Sequence, residues 1–142
     1  MSGLYRKIVC LFLFSSSLAM ASEPNFQFHA QDNSQEIFVE KCKVWLLALE
    51  QNDREQLLGF FDPQVVKQHS QALEALLDDM VSRQQRITST AGLVSRQVAL
   101  SKPGVTAEHI ANVNVDYTFE NGHIGISCGF ERKDSGNWQL IP

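Results

Sequence analysis

The run Val113-Asn114-Val115-Asp116-Tyr117-Thr118-Phe119-Glu120-Asn121-Gly122-His123-Ile124-Gly125-Ile126-Ser127-Cys128-Gly129-Phe130 decides the fold. Apolar residues alternate with polar or small ones on both sides of Asn121-Gly122, a dipeptide that strongly favours a two-residue hairpin turn. With Asn121 and Gly122 as the loop, Phe119 should face Ile124, Tyr117 should face Ile126, Val115 should face Cys128 and Val113 should face Phe130. All four pairs fall on one side. The other side carries Glu120 with His123, Asp116 with Ser127 and Asn114 with Gly129, as a half-solvated antiparallel sheet requires.

Two further turn signals extend the meander. Pro103-Gly104 is expected to link a strand over residues 87–101 to one over 106–119, and Asp134-Ser135-Gly136 closes a third turn before a short last strand. Counting through these loops places Val94, Val113, Phe130 and Leu140 in one inward row, with Gly92 bulging or bending the first strand.

Upstream the apolar period lengthens from 2 to about 3.6. Asn33 with Glu36 forms a capping-box pattern, and Phe38, Cys42, Trp45 and Leu49 make one buried stripe on a helix ending near Glu50. Asn52 with Glu55 repeats the cap before Leu57, Leu58, Phe60 and Phe61, a short second helix. Asp62-Pro63 opens a third, fading near Gln85, whose expected inward stripe is Val66, His69, Leu73, Leu76, Leu77 and Met80. The predicted class is α+β: three N-terminal helices packed on a curved four-stranded antiparallel sheet, one domain over residues 33–142, preceded by a flexible arm over 22–32.

Residues 1–21 read as a signal peptide. Arg6 and Lys7 precede an apolar run over 8–14, and Ala19-Met20-Ala21 supplies a small-x-small cleavage site. The run falls short of the roughly 20 apolar residues that span a bilayer, so the expected product is periplasmic or secreted, with no membrane association after cleavage. Removing the leader leaves ten basic against sixteen acidic residues, a net charge of −6, which speaks against nucleic-acid binding. It also leaves Cys42 and Cys128, an even pair in a compartment where disulfides persist; a bridge and two buried thiols both remain open.

Trp45-Leu46-Leu47-Ala48-Leu49-Glu50-Gln51-Asn52-Asp53 and Phe130-Glu131-Arg132-Lys133-Asp134-Ser135-Gly136-Asn137-Trp138-Gln139-Leu140 resemble the end of helix one and the closing hairpin of small secreted lumazine-binding-like domains of unknown function. These belong to the nuclear transport factor 2-like, or cystatin-like, superfamily. The resemblance spans nearly the whole mature chain and implies a cone-shaped fold. That group contains isomerases, dehydratases and polyketide cyclases beside noncatalytic transport and assembly modules, so the resemblance carries over no ligand and no activity.

An enzyme of this shape needs a general acid or base inside the cone. Asp116, Glu120 and Glu131 point outward by register, which leaves His69, on the third helix, and His109, at the start of a strand, as candidate bases. Turn counting also aligns Arg96, Ala111, Arg132 and Trp138 across the four strands, with His109 in the adjoining row. Two guanidinium groups flanking a small residue, beside an indole, suit a small anionic ligand; the plain alternative is that both arginines reach water or stack on Trp138. No Cys-x-x-Cys or His-x-x-x-His spacing, glycine-rich phosphate loop or serine-nucleophile motif is read, so neither metal nor cofactor is expected. The leading expectation is a noncatalytic domain binding a small ligand or a protein partner. A homodimer through the exposed sheet face, along Asn112, Asn114, Asp116, Thr118 and Glu120, is a further reading.

Overall fold

Cys42 and Cys128, sulfur to sulfur at 2.07 Å and 86 positions apart in sequence, join the first helix to the third strand and fix the helical layer on the sheet. The computed structural model describes residues 25–31, 35–100 and 109–142. The expected leader and cleavage site, Asn33 and the expected turn at Pro103-Gly104 lie outside the described residues.

Helix α1 runs Gln35–Gln51 and buries the expected stripe of Phe38, Cys42, Trp45 and Leu49, together with Leu46 and Ala48. Asn52 does not cap the second helix: at φ 51° it takes the left-handed conformation that asparagine tolerates and terminates α1. The cap of α2 (Arg54–Leu58) is Asp53, whose carboxylate accepts from the Gln56 N–H. Leu57 and Phe60 enter the core, and Phe60 and Phe61 both pack on the Trp45 indole.

The expected third helix is two. Helix α3 (Pro63–Gln68), capped by Asp62, ends at His69, and α4 (Ser70–Ser89) starts from it. His69, at φ −125° and ψ 34°, leaves the helical range and turns the axis. The buried stripe of α4 is accordingly Leu73, Leu77, Val81 and Gln84; Leu76 is exposed, and Val66 and Met80 are only half-buried.

Strands β1 (Leu93–Leu100), β2 (Ile110–Phe119), β3 (Gly122–Arg132) and β4 (Trp138–Ile141) form an open antiparallel sheet in chain order. Which side chains face inward is as expected: Val113, Val115, Tyr117, Cys128, Phe130 and Leu140 share the buried face. Their pairing is not. Phe119 lies opposite Gly122, Val115 opposite Ile126 and Val113 opposite Cys128, two positions from the expected register. The turn is Glu120-Asn121, and none of Glu120, Asn121 or Gly122 has a positive φ, so the Asn-Gly turn on which the count relied does not form.

Further displacement occurs at β1. Helix α4 continues to Ser89 and shortens the strand, a bulge falls between Leu93 and Ser95, and Val94 there is 67% exposed rather than inward. Gly92, at φ 85°, sits in the turn before β1. The third turn is as expected, with Gly136 at φ 86° and its N–H donating to Lys133 O.

The segment read as a loose arm is docked where it is described. Phe28 exchanges two backbone hydrogen bonds with Trp138, at 3.0 and 2.8 Å, and so pairs with the outer side of β4. Its buried ring meets Phe38 and Phe130 edge-on, and the Lys41 ammonium lies over it while donating to Asn25 Oδ1.

Candidate functional site

The two candidate bases lie on the surface. His69 is exposed at the α3–α4 junction, off the buried stripe expected for it, because the helix breaks there. His109 is exposed just before β2. Neither reaches the interior between helices and sheet.

The four-strand row of Arg96, Ala111, Arg132 and Trp138 is also absent. Arg96 lies opposite Tyr117, six positions along β2 from Ala111, whereas Ala111 faces Phe130 and Arg132 faces Trp138. Arg132 N–H donates to His109 O at 2.8 Å, which puts His109, Arg132 and Trp138 side by side on consecutive strands. From there to Tyr117 is eight residues of strand, about 26 Å. The two arginines therefore cannot share a ligand of small size.

At its own end, Arg96 closes a polar cluster. Its guanidinium donates to Glu50 Oε1 at 2.5 Å, and the same oxygen accepts from Gln84 Nε2 at 3.2 Å. Gln84 Nε2 also donates to the Tyr117 hydroxyl at 2.6 Å, fully inside the protein. Residues of α1, α4, β1 and β2 thus meet on inward polar groups that satisfy one another. Glu50 supplies the inward carboxylate that a survey of strand positions alone misses; Gln84 is concealed by the charged sequence around it.

At the opposite end, the Arg132 side chain is exposed and makes no ion pair, hydrogen bond or ring contact with any described residue. Beside it Trp138 is half-buried, its indole held edge-on by Phe38 at 4.9 Å between centroids. A fixed aromatic ring next to an imidazole and a guanidinium that has no partner among the described residues is an arrangement that suits a carboxylate or phosphate.

The outer face carries Asn114, Asp116 and Ser127 around a shallow open depression over Gly125. Contrary to the expectation of no serine-nucleophile motif, Gly125-Ile126-Ser127-Cys128-Gly129 has Gly-x-Ser-x-Gly spacing. It lies within uninterrupted β3 and not at the strand-to-helix turn that exposes a nucleophilic serine, so the spacing carries no such role.

No known family model matches the chain, and no curated protein matches it.

Proposed function

We propose that this chain is a noncatalytic binding domain of the nuclear transport factor 2-like type, working outside the cytoplasm, and that it takes a small anionic ligand at the His109, Arg132 and Trp138 end of its sheet. The observation carrying this reading is the exposed Arg132 guanidinium, without a partner among the described residues, set directly across from Trp138. Arg96, tied to Glu50, is a structural residue in the same reading. The α+β order of helices followed by an antiparallel meander supports the superfamily assignment. The Cys42–Cys128 bridge suits an oxidising compartment, and no helix among the described residues is long and apolar enough to cross a membrane. The alternative of an isomerase, dehydratase or cyclase built on His69 or His109 draws no support from two solvent-exposed imidazoles.

Thermal denaturation in phosphate, sulfate and an aromatic carboxylate tests the site. Anions should raise the midpoint of the parent protein and of Arg96→Ala relative to their own anion-free values, and should leave Arg132→Ala unmoved. An equal rise in Arg132→Ala would overturn the assignment.

A further inference from the structure

Two borders of the sheet are guarded and a third is not. The free side of β1 carries the bulge at Leu93 and Ser95 and the inward charge of Arg96, both of which discourage pairing with another strand. The free side of β4 is covered at Trp138 by Phe28. Strand β4, however, stops at the pair Gly129 with Ile141, so β3 has no neighbour on that side over residues 122–128 among the described residues. This stretch contains no proline, lysine or bulge.

Hydrogen-bond parity identifies what the open border offers. Arg132 N–H points to β2, so the even residues of β3 bond inward to β2 along a ladder without irregularity. The odd residues bond toward β4; consistently, Trp138 directs its own N–H and C=O away from β3, to Phe28. His123, Gly125 and Ser127 therefore each direct an N–H and a C=O into the open border.

We propose that this border pairs with the same border of a second copy, antiparallel and about a two-fold axis at Gly125. In that register Gly125 faces its own equivalent and His123 faces Ser127, giving six backbone hydrogen bonds with no like charges opposed. On the inner face Ile124 meets Ile126 of the second copy in non-hydrogen-bonded pairs, where side chains lie closest. Ile124, an apolar residue left 42% exposed in one copy, thereby gains cover. Each copy's β4 ends at Ile141, beside Gly129, and the hydrogen-bonded part of the new pair ends at Ser127 opposite His123. Gly125 has a φ that is not positive and lies in a ladder without a bulge; the Asp116 carboxylate opposite it would be 3.4 Å from a Cβ there, so the backbone of β3 is least covered by its own side chains at the proposed axis.

Sedimentation velocity over a concentration series, with the Cys42–Cys128 bridge intact, tests the pairing beside two variants. The parent should show a reversible dimer. Ile124→Lys, which places a charge at the inner contact, should be monomeric, and Gly125→Cys should form a covalent dimer on oxidation, since hydrogen-bonded pairs hold Cα atoms about 5.5 Å apart, within disulfide reach. Should Ile124→Lys fail to fold, the Gly125→Cys crosslink decides alone. A parent that stays monomeric throughout overturns the proposal. So does a dimer that survives Ile124→Lys and gives no Gly125→Cys crosslink, because it must use another surface such as the outer sheet face.

Discussion

Gln84 Nε2 donates to the Tyr117 hydroxyl at 2.6 Å in the seam between α4 and β2, and both side chains are buried. Removing the amide leaves the phenol without its donor in a place water does not reach. Gln84→Leu should therefore cost about 1–3 kcal/mol. Gln84→Leu with Tyr117→Phe should cost less than the sum of the two single changes, because it strands no phenol oxygen. Urea unfolding of the three variants checks this.

The Cys42–Cys128 bridge closes a loop with a sequence separation of 86 residues. In the chain-entropy description a loop of this length contributes about 4–5 kcal/mol. Cys42→Ala with Cys128→Ala should lose most of that, read as a lower denaturant midpoint, and the parent should fall to the same midpoint under a strong thiol reductant.

Phe28 is 2% exposed and joins two strands of evidence for a docked N-terminal segment: its backbone pairing with Trp138 and its ring contacts with Phe38 and Phe130. Phe28→Ala should destabilise by about 3–5 kcal/mol, as truncation of a buried phenylalanine does. A loosely held arm would give a change near zero, so equilibrium unfolding separates the two directly.

His69 belongs to the surface, at the break between α3 and α4. His69→Ala should shift stability by no more than about 0.5 kcal/mol. A buried, hydrogen-bonded imidazole on the helix stripe would lose several times as much.

These contrasts mark where sequence was a sufficient guide. Side-chain parity was legible through β2, β3 and β4, failing only at Val94 beside the β1 bulge, because a strand buried on one face confines its apolar residues to alternate positions whatever the exact pairing. The pairing itself slipped by two positions, which preserves parity and so leaves the apolar pattern undisturbed; only the Glu120-Asn121 turn geometry distinguishes the two registers. The expected Arg96 and Arg132 pocket depended also on the β1–β2 pairing, where Arg96 lies six positions along β2 from Ala111, and it dissolved chiefly with that. The stripe of α1 was readable from Phe38 to Leu49, whereas the break at His69 has no proline or glycine to announce it. Phe28 stood in a short polar context without a period, and its burial comes from a distant strand. Glu50 and Gln84 were hidden for the same reason: each lies on a helix and takes its partner from an element far along the chain.

The covalent link between mid-α1 and mid-β3 also governs how the molecule responds to being cut. Everything from α2 through β2 lies between the two linked residues, so a protease that nicks the backbone once in that interval produces two fragments that stay tethered. Such a product migrates as one species on a denaturing gel until it is reduced. Cuts before Cys42 or after Cys128 release a free piece at once.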